Sequence, residues 1–166
     1  MERRILVPLD GSAGAESIVD VLEGLDLAKG ATLVLLHTVL PTAAPALAGP
    51  VPMVGPAVVP EDLYEKERAE ATAYLGRVRD RLAGRGLKCE CEVREGAPVE
   101  TIAAAQQDLR ADLIAMATHA RSGIGRLLLG SVADGVVRLA RVPVLVSRLE
   151  DEAGAGAEAD PTQPHA

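Results

Sequence analysis

Short apolar runs alternate along this chain with segments patterned for helices, and that alternation constrains the fold more than any other feature. Arg4-Ile5-Leu6-Val7-Pro8-Leu9, Ala31 through Val39, Ala111-Asp112-Leu113-Ile114-Ala115-Met116 and Val142-Pro143-Val144-Leu145-Val146-Ser147 all have strand length. Near-continuous Val, Leu and Ile is the mark of strands buried on both faces, as parallel strands are. Leu87 through Arg94 differs: its strict alternation puts Cys89, Cys91 and Val93 on one face and Lys88, Glu90, Glu92 and Arg94 on the other.

The segments between these runs carry helix signals. Ser12 is placed to cap a helix running to about Ala28, with Ile18, Val19, Leu22 and Leu25 at core spacing and Lys29-Gly30 as its stop. Pro60 opens a charged helix to about Ala83, whose core stripe is Leu63, Ala71, Tyr74, Leu75, Val78 and Leu82. Pro98 suits the first turn of a helix over 99–109, and Ser131 to Ala140 reads as the last helix. Strands separated by helices pair in parallel through right-handed crossovers. The expectation is an α/β fold, one open five-stranded parallel sheet with helices on both faces. It occupies residues 1–149 as a single domain, with a flexible loop over 40–59 and a disordered acidic tail over 150–166.

Composition excludes several classes of function. The 166 residues contain no Phe or Trp and two tyrosines, which leaves no platform for stacking bases. A formal charge of −7 opposes a nucleic-acid partner. No apolar run reaches the roughly 20 residues of a membrane span, so no membrane is expected and the cytoplasm is the expected compartment. Cys89 and Cys91, two apart on a strand, are poorly placed to bridge and read as buried core thiols.

The segment from Met116 to Val132 carries the functional signal. A strand end, a small-residue loop and Gly130-Ser131 at a helix start can cradle phosphate, because the leftover N–H groups and the helix dipole both favour an anion. From Ala117 to Arg148 the charges are Arg121, Arg126, Arg138, Arg141 and Arg148 against Asp134 alone, a local positive field in an acidic chain. Ser131 fits equally as phosphate donor and as helix N-cap. No Gly-x-x-x-x-Gly-Lys-Ser/Thr run and no dinucleotide fingerprint is present. His119 has no Cys or acidic neighbour, and His37 reads as a satisfied buried imidazole. With strands in the order 3-2-1-4-5, the loops after the first and fourth strands share the crevice at the switch point, where such sheets bind ligands.

Several of these pieces occur together and in order: Ile5-Leu6-Val7-Pro8-Leu9-Asp10-Gly11-Ser12, Leu35-Leu36-His37, Gly96-Ala97-Pro98, Ala111-Asp112-Leu113-Ile114, the 116–132 segment and Val142-Pro143-Val144-Leu145-Val146. As a set they resemble the universal stress protein family over roughly residues 3 to 148. The resemblance implies a Rossmann-like, adenine nucleotide alpha hydrolase-like fold. It also implies a stress-response regulator that binds ATP, or ADP or AMP, with or without magnesium. In the nucleotide-binding branch the loop pattern is Gly, two residues, Gly, nine residues, Gly, then Ser or Thr. Here Gly130-Ser131 and the nine-residue spacing are kept, while Ala117 and Ala120 replace the first two glycines.

By the same resemblance, Asp10 holds the adenine or ribose side, and Pro8 and Thr38 line the adenine pocket. Main-chain groups of Met116 and Ala117, with His119, Ala120, Arg121, Ser122 and Gly123, wrap ribose and phosphates. Gly130, Ser131 and Val132 offer N–H groups and a hydroxyl to the phosphates. The resemblance also implies a homodimer through the last strand, Val142–Ser147, and a protein partner. The alternatives are a homodimeric interaction module without nucleotide, and a slow ATPase.

Overall fold

The computed structural model describes residues 2–40, 61–119 and 130–149. Among the described residues five strands and five helices follow one another: β1 (Arg3–Pro8), α1 (Ala13–Glu16), α2 (Ile18–Gly24), β2 (Ala31–Val39), α3 (Glu61–Ala83), β3 (Lys88–Glu95), α4 (Pro98–Asp108), β4 (Leu113–His119), α5 (Ser131–Leu139) and β5 (Val144–Leu149). The sheet is parallel throughout, as the alternation predicts, and its order, β3-β2-β1-β4-β5, is the expected one. The expectations for 40–59 and for the tail fall almost wholly on 41–60 and 150–166, outside the described residues.

Strand periodicity divides the core into two layers. Ile5, Val7, Leu33, Leu35 and Ala115 face one way and pack with Ile18, Val19 and Leu22 of α2 and Leu75, Val78 and Leu82 of α3. Leu6, Val34, Leu36, Ile114 and Met116 face the other way, against Ile102 and Ala105 of α4 and Ala133 and Val136 of α5. The chain turns back at β1, so helices of the first half cover one face and those of the second half the other. Gln106, fully buried, donates to Ala103 O at 3.0 Å and accepts from Arg141 N at 3.0 Å, tying α4 to the turn before β5. A Cβ on Gly135 would stand 2.7 Å from Val99 Cγ1, so the close approach of α5 to α4 needs glycine there.

Four local expectations need correction. The first helix is two short ones, because Ser17 turns its N–H and hydroxyl back to Gly14 O. It ends at Gly24 rather than Ala28: Asp26 takes a positive φ of 56°, and Leu27 and Ala28 donate to Leu22 O. Leu25 is therefore 56% exposed, and Leu63 at the start of α3 is 43% exposed, so neither joins the core. The last strand is paired from Val144 rather than Val142.

Candidate functional site

Sheet pairing opens a fork at the switch point. β1 and β4 pair at Ile5↔Leu113 and Leu6↔Ile114 only, whereas β4 stays paired with β5 from Ile114 to His119. Beyond Ile114 the two central strands therefore part, and their carboxyl ends form a fork. Met116, Ala117 and His119 belong to β4 rather than to a loop. Met116 is buried in the second core layer, so only its main chain is left for the fork. Ala117 packs its methyl on the first layer and pairs with Ser147. Among the described residues, the positive-φ ones other than glycine are Asp26 and Arg110, so Ala117 carries none of the strain that a left-handed glycine position would impose.

On the β1 side of the fork, Pro8 closes the strand and Leu9 N donates to Leu36 O at 2.8 Å. Exposed Asp10 follows. Its Oδ1 accepts from Ser12 N at 2.9 Å and Ser12 Oγ at 2.6 Å, and Ser12 Oγ in turn accepts from Ala15 N at 3.0 Å. Gly11 holds φ +90°, which makes this tight corner. Thr38 is half-buried near the end of β2, the neighbouring strand.

On the β4 side, Gly130 occupies the N-cap of α5 and lacks a side chain to cap it. Ser131 is thus the first helical residue and exposed, so its hydroxyl is not the cap. The first intrahelical bond runs from Asp134 N to Gly130 O, which leaves the N–H groups of Ser131, Val132 and Ala133 without intrahelical acceptors. Gly130 N–H itself donates to Thr118 Oγ1 at 3.1 Å. A Cβ on Gly130 would stand 2.9 Å from that oxygen, so the glycine is fixed by close approach.

Thr118 is the residue that sequence reasoning missed. Buried at the end of β4, it pins the start of α5 to the strand. A threonine among apolar strand residues, twelve positions before a Gly-Ser helix start, was the available signal. Thr118→Val keeps the shape but leaves Gly130 N–H bare, and is expected to lower the unfolding free energy by about 1 kcal/mol in chemical denaturation. Ala120, Arg121, Ser122 and Gly123, and Arg126 beyond them, lie outside the described residues. Arg138 bonds Asp134 one turn back, as a solvated helix-face pair.

The family model described as the universal stress protein family matches residues 1–148. The chain belongs to the universal stress protein family. A universal stress protein of Thermus aquaticus is 34% identical over 149 residues, covering 89% of this chain and all of the relative. Universal stress protein MJ0531 of Methanocaldococcus jannaschii is 31% identical over 144 residues, covering 87% and 81%. Among solved structures, a universal stress protein in complex with cAMP aligns with TM-score 0.61 at 24% identity, covering 89% of this chain and 97% of that one. A family protein of Arabidopsis thaliana with AMP bound gives 0.59 at 18%, covering 89% and 92%. At those identities the likeness is one of fold.

The cysteines depart from expectation. They share a face, but β3 is a sheet edge, so Cys89 is only half-buried and Cys91 is exposed. Burial, then the neighbouring Cys91, pushes the Cys89 thiol up from 9.0 to about 11, and burial raises Cys91 as well. Cys91 Sγ donates to Leu75 O at 3.4 Å. Both are expected to alkylate slowly near neutral pH, the more exposed Cys91 first, which peptide mapping after iodoacetamide would show. The folded state holds the Cys89 proton more tightly than the unfolded chain does. Its contribution to stability is therefore full below pH 9 and lost as pH rises toward about 11.

Proposed function

We propose that this chain binds an adenine nucleotide, ATP or in its place ADP or AMP, at the fork between β1 and β4, and acts through the bound state as a stress-response regulator. The observation that carries this reading is the fork itself. Two strand ends part at the switch point, with an acidic acceptor at Asp10 on one side and the open amide end of α5 on the other. Ligands of open parallel sheets sit at such points, and helix starts favour phosphate. Solved family structures bound to cAMP and AMP support an adenine ligand.

In this reading Asp10 takes the adenine or ribose side, with Pro8 and Thr38 beside the base. The main chain of Met116 and Ala117 lies along the ribose, followed by His119, Ala120, Arg121, Ser122 and Gly123. The amides of Ser131 and Val132 and the Ser131 hydroxyl meet the phosphates, and Gly130 N–H joins them on release from Thr118. Because Ala117 is extended, the altered glycine pattern costs nothing in backbone strain at that position. Titration calorimetry with ATP, ADP and AMP, with and without millimolar magnesium, tests the proposal. Heat saturating at one site is expected; none with any of the three overturns it. Phosphate release above buffer that is lost in an Asp10→Ala and Ser131→Ala double variant would instead support the slow ATPase.

The two sheet edges favour a homodimer in this reading. The β3 edge carries Lys88, Glu90, Glu92 and Arg94, charges of the kind that guard an edge, whereas β5 presents Val144, Leu145 and Val146, with Val137 and Leu139 of α5 44% and 49% exposed. We place the interface on β5, and Val146→Asp is expected to give monomer or aggregate by light scattering. An unchanged dimer would contradict this pairing. Two free cysteines and no membrane-length apolar helix among the described residues suit the cytoplasm.

A further inference from the structure

His37 does not have the satisfied imidazole that its apolar strand suggests. Its Nδ1 is buried without a hydrogen-bond partner, and the same is true of the hydroxyl of Tyr74 on α3; these are the two such side-chain atoms among the described residues. They occur together, with the rings edge to face, centroids 5.8 Å apart and planes at 68°. Buried polar groups are rarely left bare, and adjacent ones are commonly satisfied by one ordered water. We propose that a single buried water is bound between His37 Nδ1 and the Tyr74 hydroxyl, near the carboxyl end of β2.

The chemistry fits either tautomer of His37. Water donates to Nδ1 when that nitrogen is bare and accepts from it when it carries the proton, and a phenol hydroxyl complements both. The surroundings supply more polar character. The Glu16 carboxylate stands near the Tyr74 hydroxyl without hydrogen-bonding geometry, and Arg81 pairs with Glu16. Burial first, then Glu16, and more weakly the charge of Asp10, hold the Tyr74 hydroxyl well above the usual phenol range, so it remains a proton donor. A tyrosine turned toward Glu16 would still leave His37 Nδ1 bare. The water therefore links Tyr74 to His37 beside the Arg81–Glu16 ion pair. That link joins α3 to β2, whether or not a nucleotide occupies the fork.

A crystal structure of the full chain showing ordered waters, together with a Tyr74→Phe variant, tests this. The variant keeps the ring contact and removes one partner of the water. Expected are solvent density within hydrogen-bond distance of both atoms, a lower thermal midpoint for Tyr74→Phe, and a changed His37 Nδ1 nitrogen-15 shift in the variant. A structure with no density within hydrogen-bond distance of both His37 Nδ1 and the Tyr74 hydroxyl overturns the proposal, as does a Tyr74→Phe midpoint equal to or above that of the parent. An empty site favours the variant, because removing an orphaned buried hydroxyl relieves a penalty instead of creating one. No nucleotide enters the experiment, so its failure and that of the crevice reading are separable.

Discussion

Asp10→Ala is expected to bind ATP ten- to a hundredfold more weakly than the parent chain. A charge-assisted hydrogen bond contributes about 1.5–3 kcal/mol, and each tenfold in affinity is about 1.4 kcal/mol, which sets that range. The carboxylate also accepts from Ser12 N and Ser12 Oγ, so alanine loosens the corner leading into α1 as well. Asp10→Asn separates the two effects. It keeps an acceptor for Ser12 while removing the charge, so its stability should stay near that of the parent and its affinity should fall between the two. Titration calorimetry beside a denaturation curve for each variant reads both quantities. Parent-like affinity in Asp10→Ala would remove Asp10 from the site.

Leu35→Ala is expected to cost about 2–5 kcal/mol of unfolding free energy, the largest loss among the single changes considered. Leu35 is fully buried on β2, which has strands on both sides, and belongs to the layer beneath α2 and α3. Its neighbours Ile5, Val7, Leu33 and Leu75 are themselves fully enclosed, so little can move in to fill the space. Denaturant titration followed by circular dichroism would measure it. A loss under 1 kcal/mol would mean that this layer repacks freely. The fork lies beyond the carboxyl ends of the same strands, so the loss should be accompanied by weaker ligand binding in proportion to the unfolded fraction.

The sheet was legible in the sequence because parallel strands buried on both faces leave continuous apolar runs, and Ala31–Val39 is bounded as its composition implies. What escaped was settled by contacts remote in sequence or by backbone turns without a strong signature. Asp26 in a left-handed conformation ended the first helix where Gly30 was the stronger signal. Cys91 alternates like a core residue, yet the order 3-2-1-4-5 sets its strand at a sheet edge, where alternation no longer implies burial. At the candidate site, the corner at Asp10 and the helix start at Gly130-Ser131 were readable as local structure. Thr118 was not, because its value depends on Gly130 returning to within 3.1 Å of its hydroxyl. Nor could spacing reveal that Ala117 is extended, a fact that takes backbone strain out of the question of whether alanine is tolerated there.

The short pairing between β1 and β4 has a mechanical consequence. β1 and β2 share six paired positions, β2 and β3 eight, and β4 and β5 six, but β1 and β4 share two. That seam has the fewest paired positions in the sheet; it separates β3, β2 and β1 from β4 and β5, while helices span it on both faces. A molecule seated in the fork would act as a staple across the seam, stiffening the two halves against each other. Occupancy at one end of the sheet would then be felt at β5 as a change in how firmly that half is held.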